Sequence, residues 1–343
     1  MPVQVVREAT FRFSHCIGRR ENIGPGFSNP ADIACGPDER LYIINRAEDD
    51  RPDAIRITIF NAREDYIGEF GRGRPERGEK PSPDGMAWAT SIALDHSGNV
   101  YVGDEWLSMI FMFTGDGDWI GRWGVAGHGD GELDRPAGLA FDSEDNLFVT
   151  DSRNNRIQKF TKDGEFLAKW GREGTGDGEF NMPWGIDTDT QDNVYVVDWR
   201  NDRIQKFTPD GQFLMKFGSS GSGDGQFNRP AGIAVDKEGI IYVTDWGNDR
   251  LQIFDTDGQF LTKFTGDATL SNLAKLKLDS NPDTWKEREI SQYLEREKLF
   301  WRPRGLDVDD KGRVFVLDST RSRIQVYRKL IPTFYGLYDG PRL

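Results

Sequence analysis

Pro136, Pro183 and Pro230 lie 47 residues apart, and so do Asp151, Asp198 and Asp245. Around these anchors three segments read nearly alike: RPAGLAFDSEDNLFVTDSRNNRIQKFTKDGEFLAKWG, MPWGIDTDTQDNVYVVDWRNDRIQKFTPDGQFLMKFG and RPAGIAVDKEGIIYVTDWGNDRLQIFDTDGQFLTKFT. A fixed period this long marks a repeat architecture, because a single unit has faces that it cannot bury alone. Function is then to be sought where the copies differ.

One copy, residues 229–266, sets the local structure. AGIAVD after Pro230 is a short apolar run that fits a buried strand, and KEG turns it. IIYVTD follows, rich in β-branched residues, then a polar corner and LQIF. Thr256-Asp257-Gly258 forms a tight turn into QFLTKF, which alternates as a half-exposed outer strand. The pattern predicts a four-stranded antiparallel meander. Residues 29–70, 89–123 and 302–328 are more diverged copies, and the last lacks a fourth strand. An orphan strand near the N-terminus, FRFSHCIG (11–18), completes it and closes a ring that leaves no long sheet edge exposed. The expected fold is all-β: one domain, 1–343, forming a six-bladed β-propeller of four-stranded antiparallel blades. The blades run near 26–70, 86–124, 133–171, 180–218, 227–266 and 300–328, with strand 11–18 closing the ring and a helical insert, 267–300, between blades 5 and 6.

The pattern G-x-G-D-G-x-F-x-x-P-x-G-[IL], then [VI]-D, then [YF]-V-[TV]-D-x-x-N-x-R-[IL]-Q-x-F, resembles the NHL repeat of six-bladed propellers. The match is strong over 133–266, moderate over 89–123 and 302–328, and weak over 29–70. Such a resemblance implies a fold and leaves function open. Some NHL propellers are zinc enzymes, notably the lyase domain that cleaves peptidyl-α-hydroxyglycine. Their zinc histidines include ones directly after the proline that opens an inner strand. The matching positions here are Ala31, Thr90, Ala137, Trp184, Ala231 and Arg304. The chain's three histidines are His15, His96 and His128, and the first two fall on an outer strand and an opposite-face turn. They do not converge on one ion, so no metal site and no cofactor are expected. The Gly-Asp-Gly links read as turns. A calcium ion in the channel is left open without support, since no stretch alternates acidic ligands like an EF-hand loop.

A net charge of −13 argues against nucleic acid and anionic membrane surfaces as partners. Arginine beside tryptophan also fits single-stranded RNA recognition, but that needs a basic face. No apolar run approaches the roughly 18 residues that span a bilayer, the start MPVQVVREAT has no secretory pattern, and Cys16 and Cys35 offer no disulfide framework. The expectation is a cytoplasmic protein of prokaryotic type, monomeric because a closed ring is self-contained.

Departures from the period fall on one face, where inner strands begin: the corner 46–54, the link 71–88 and the insert 267–300. Asn281-Pro282 is a helix start. Insertions concentrated on one face mark a binding face, the other reading being a plug over the channel. The repeated pairs Asp151–Arg156, Asp198–Arg203, Asp245–Arg250 and Asp318–Arg323 are scaffold, since a site needs one pair and a ring needs one per blade. Among the six inner positions only Trp184 and Arg304 are large. Arg135, Arg229 and Arg302 approach the same mouth, and Trp106, Trp199 and Trp246 occupy neighbouring corners beside Glu105. Aromatic walls with a few convergent charges suit a pocket, and arginine holds carboxylate or phosphate through two bonds. These nine residues are the candidate ligand site, and no catalytic residue stands out. The expected function is binding or scaffolding, with a peptide, protein or small anionic ligand recognised at the insert-bearing face. The alternative is a propeller lyase or hydrolase without histidine-bound zinc.

Overall fold

Alternating β-branched and aromatic runs separated by Gly and Asp turns build antiparallel sheets, and six of them are arranged in a ring. The computed structural model describes residues 10–46, 54–73, 84–290 and 294–330. From the axis outward, blade 1 is Pro30–Cys35, Arg40–Asn45, Arg56–Asn61 and Tyr66–Phe70, and blade 4 is Pro183–Thr188, Val194–Asp198, Arg203–Phe207 and Phe213–Phe217. Blades 2, 3 and 5 repeat this order from inner strands Ala89–Leu94, Pro136–Phe141 and Pro230–Val235. Blade 6 takes Pro303–Val308, Arg313–Asp318 and Arg323–Leu330 from the end of the chain, and Thr10–Ile17 pairs antiparallel on its outside. The ring is closed as the orphan strand demands.

The apolar core is divided into wedges. Among the described residues there are six clusters, each between the facing sheets of neighbouring blades. Between blades 3 and 4, Phe148 and Ile157 meet Val194, Val196 and Phe207, all fully buried. At the closure, Ile17, Leu317 and Val326 meet Leu41, Ile43 and Phe60. Each such side chain contributes about 1.5–3 kcal/mol by leaving water, so a blade depends on both neighbours.

The repeated pairs are fasteners. Arg203 Nε donates to Asp198 Oδ2 at 2.8 Å, and its Nη atoms donate to the carbonyls of Thr175, Gly176 and Glu179 in the link before the blade. Arg156 and Arg250 repeat the arrangement. The neighbouring glutamines Gln158, Gln205 and Gln252 accept from Gly131, Gly178 and Gly225. Aspartates of the Gly-Asp-Gly links pair with outer-strand lysines, Asp224 with Lys263 at 2.6 Å and Asp130 with Lys169. The divergent blade 1 keeps the function with other atoms: Asn45 replaces the aspartate, and the buried Arg56 pairs with Glu69 at 2.8 Å.

Inner strands approach one another closely near the axis. A Cβ at Gly138, Gly185 or Gly232 would lie 2.3–2.4 Å from the carbonyl oxygen of Trp184, Ala231 or Arg304 on the next blade. Glycine there is a packing requirement.

The insert holds α1 (Asn272–Asp279), α2 (Pro282–Glu289) and α3 (Leu294–Lys298). Asn281 caps α2 through its side chain, as its sequence predicts. The first helix has no proline to announce it. Its cap residue Ser271 donates to Gly18 O, and Asn272 N donates to Glu64. Leu273 packs on the closure cluster. The insert is therefore anchored at the rim, over the seam between blades 6 and 1. Residues 47–53 of the long corner, 74–83 of the long link and 291–293 of the insert lie outside the described residues.

Candidate functional site

Six inner strands leave an axial cavity of about 450 Å³. At the end where those strands begin, its wall is formed by Ala31, Thr90, Ala137, Trp184, Ala231 and Arg304. Thr90 spends its hydroxyl on Gly103 O and Pro136 O. That leaves Trp184 and Arg304, both half-buried, as the large side chains on this level. At the other end the wall is made by the turns between first and second strands, including His96, Ser143, Asp192 and Lys237. Those turns are tied blade to blade: His96 to Asp145 at 2.6 Å, Ser143 to Asp192 at 2.7 Å, and Lys237 to Asp310 at 2.7 Å.

Of the nine candidate residues, Trp184 and Arg304 line this cavity; the other seven form a rim outside its lining. Trp199 stands 5.9 Å from Trp184, ring to ring. Arg229 lies over Trp199 at 4.8 Å, and Arg302 over Trp246 at 4.9 Å. Arg135, Arg229 and Arg302 all have left-handed backbones, with φ of 59°, 53° and 54°. The turn sends Arg229 and Arg302 across to the corner tryptophan of the preceding blade. Arg135 pairs with Glu105 at 3.2 Å, and the buried Arg46 reaches the same carboxylate at 3.7 Å. Trp106 is 69% exposed.

Arg304 differs from these arginines. Glu105 acts on it favourably and Arg302 unfavourably, yet among the described residues its guanidinium has no ion-pair partner within 4 Å. Burial, then Arg302, lowers its proton affinity. Arg46 feels it as well, its own pKa falling to about 9 through burial first and Arg304 second.

Three carboxyls in the same cavity escaped the sequence reading. Burial raises Asp187 to about 8, with Asp307 adding to the effect. Burial raises Asp32 to about 7, again with a contribution from Asp307, and Asp307 itself to about 6. Asp307 of blade 6 acts on Asp187 of blade 4, two blades away in the ring. Each carboxyl holds a backbone N–H of the next blade: Asp32 that of Ile92 at 3.1 Å, Asp187 that of Val235 at 2.7 Å, and Asp307 that of Cys35 at 2.6 Å. The Cys35 thiol also bonds to Asp307. The signal was present in the overlaid copies. Asp187 and Asp307 stand where the others have Ala34, Ala93, Ala140 and Ala234, three positions beyond the one compared.

The histidines are spread around the molecule. His15 on the closing strand bonds to Ala62 O, and His128 bonds to Asn154 on the rim. Among the described residues no three His, Cys, Asp or Glu side chains are grouped so as to hold a metal ion. No described helix is long and apolar enough to cross a membrane.

Comparison with known proteins agrees with this architecture. The family described as a 6-bladed β-propeller matches residues 188–328, and the NHL repeat matches residues 133–160. No curated protein matches the chain. Among solved structures, a streptogramin B lyase is 13% identical with a TM-score of 0.56, over 93% of this chain and 98% of that one. A catalytically inactive histidine-to-alanine variant of virginiamycin B lyase from Staphylococcus aureus with quinupristin is 14% identical, TM-score 0.57, over 94% of this chain and 100% of that one. A protein of unknown function from Bacteroides thetaiotaomicron is 19% identical, TM-score 0.63, over 94% of this chain and 76% of that one. These likenesses concern the fold alone. The chain has the fold of a six-bladed β-propeller, and its residues 133–160 match the NHL repeat.

Proposed function

We propose that this protein binds a small anion, or the anionic end of a larger ligand, in the axial cavity on the insert-bearing side. The observation that carries the reading is Arg304: a half-buried guanidinium in a 450 Å³ cavity, without an ion-pair partner among the described residues. Holding such a charge away from water costs stability unless something of opposite charge meets it. Arginine's planar fork suits a carboxylate or phosphate, and Trp184 supplies an apolar wall for the rest of the ligand.

A second reading, a lyase or hydrolase without histidine-bound metal, draws on Asp187 and Asp307. Carboxyls raised toward neutrality are suited to moving a proton. Mass analysis of the ligand after incubation separates the two: an intact ligand supports binding alone.

The test is a thermal-shift panel of carboxylates and phosphates on the wild type and on Arg304→Gln. A ligand at a hundred times its Kd stabilises by about 2.7 kcal/mol. At least one anion is expected to raise the wild-type Tm and to leave the variant unmoved. Equal shifts in both proteins, or none in either, refute the proposal.

A further inference from the structure

The anion site leaves three carboxyls of the cavity without a role: Asp32, one position from the Arg304 level and beside Gly305, and Asp187 and Asp307, three positions from it. The fold does not require them. At the position of Asp187 and Asp307, four blades use alanine, and at the position of Asp32 the other blades carry Gly138, Gly185, Gly232, Gly305 and Ser91. Each carboxyl accepts a backbone N–H from the next blade and one from its own strand, at Ile33, Thr188 and Val308, and Arg46 acts favourably on Asp32; the bonds to Asp187 and Asp307 are all from uncharged groups. Elsewhere on these strands a neutral hydroxyl does comparable stitching, as Thr188 does to Phe141 O. Among the described residues lining the cavity, the lysine and arginine side chains are Arg304 and Lys237, and Lys237 is paired with Asp310. A carboxylate removed from water needs a cation or several donors to meet it. The cavity is therefore polarised, with an unpaired cation at one level and the unmatched Asp187 and Asp307 three positions further along the strands.

Resting on the anion reading above, we propose that the cavity takes a free, unblocked short peptide. Its C-terminal carboxylate sits on Arg304, and its N-terminal ammonium sits between Asp187 and Asp307, three residues further along their strands. Arg304 and Asp307 are three residues apart on one extended strand, as are Trp184 and Asp187 on another. At about 3.3 Å per residue the two poles are about 10 Å apart, and an extended peptide of about three residues spans that distance. Trp184 covers the side chain next to the carboxylate end. Blocking either terminus leaves one pole of the cavity buried and unmatched, which is how a site rejects a near analogue.

The experiment uses three pooled synthetic tripeptide mixtures of identical composition: unblocked, N-acetylated and C-amidated. Retention by the intact protein is read by equilibrium dialysis and mass spectrometry. The wild type is compared with Arg304→Gln and with the double variant Asp187→Asn, Asp307→Asn, whose amide oxygens still accept from Val235 and Cys35. The two single variants serve if the double one fails to fold. Members of the unblocked pool are expected to be retained at least tenfold better than their N-acetylated or C-amidated forms. The Asn variants are expected to lose that preference over the acetylated pool, and Arg304→Gln the preference over the amidated pool. Acetylated peptides retained within twofold of unblocked ones overturn the ammonium contact and leave the anion reading standing. Amidated peptides retained equally well overturn the anion reading and this proposal with it. Failure of the wild type to retain any unblocked tripeptide at millimolar concentration also overturns the proposal.

Discussion

Replacing Asp187 by Asn tests whether its environment is as hostile to charge as the cavity geometry implies. The amide oxygen of Asn still accepts from Val235 N, so the stitch between blades 4 and 5 is kept. The carboxyl's folded pKa is raised from 3.8 to about 8, by burial first and Asp307 second, with Asp189 adding a smaller push. A raised carboxyl binds its proton more tightly in the folded state. Stability is therefore full below pH 4 and falls as pH climbs toward 8, because the unfolded chain gives up the proton first. At 1.36 kcal/mol per pKa unit the cost at pH 8 has an upper bound of about 5 kcal/mol. Asp187 is half-buried rather than sealed off, so a penalty of roughly 1–2 kcal/mol is the working expectation. Asn, which never ionises, escapes it. With an unfolding entropy near 2.1 cal/mol/K per residue, that gain is about 1.5–3 °C in Tm for a chain of 343 residues. The assay is differential scanning calorimetry of both proteins from pH 4 to pH 8.5. Equal Tm near pH 4 and a widening advantage for Asp187→Asn above pH 6 are expected. A constant difference across the range, or a variant less stable at pH 8, refutes the argument.

Arg203→Ala removes the partner of the buried Asp198 and three bonds to link carbonyls. A loss of about 3–5 kcal/mol is expected from urea unfolding, and a loss below 1 kcal/mol contradicts the fastener role. Gly232→Ala places a Cβ 2.3 Å from Arg304 O, so the inner strands of blades 5 and 6 must separate at a cost of about 1–3 kcal/mol. Because that carbonyl belongs to Arg304, affinity for an anion is expected to fall together with stability, and isothermal titration showing unchanged affinity refutes the coupling.

The ring was legible because its instructions are repeated. The closing strand 11–18 was found by counting: blade 6 lacked one strand and the N-terminus had one to spare. The Asp–Arg pairs were assigned to scaffold by the same counting, and Arg203 and its counterparts do hold the links. The insert was less legible. Its helix beginning at Pro282 carries a start signal in sequence, while α1 is positioned by bonds from Ser271 to Gly18 and from Asn272 to Glu64, across 253 and 208 residues, which no local pattern connects. The carboxyls were missed for a different reason. Comparing the copies only at the residue after each proline finds Trp184 and Arg304 but passes over Asp187 and Asp307, three residues further on. An aspartate within GIDTDT reads as another turn residue until the register places it against the axis.

That distinction between repeated and unrepeated polar residues has an energetic side. Asp198 is buried as deeply as any group in the chain, yet Arg203, Asn201, Gln205 and a backbone N–H all meet it. Burial still raises its pKa, but the hydrogen bonds to both carboxylate oxygens offset much of that cost. Arg304 and Asp32 are each found in one blade and the aspartate of Asp187 and Asp307 in two of the six, and each keeps charge or hydrogen-bonding capacity unmet. Selection for stability alone would return these positions to the alanine and glycine of the other blades, since natural chains readily accept such changes where function does not oppose them. Under the proposed peptide binding, such residues at both ends of one cavity are satisfied by the ligand when it is bound. The Asp187→Asn advantage above pH 6 is thus a measurement of function as much as of stability: a variant that gains Tm without ligand and loses peptide affinity shows the same carboxyl serving both accounts. Should it gain Tm and keep its affinity, the carboxyl is a leftover of the inner strand and the peptide's ammonium lies elsewhere.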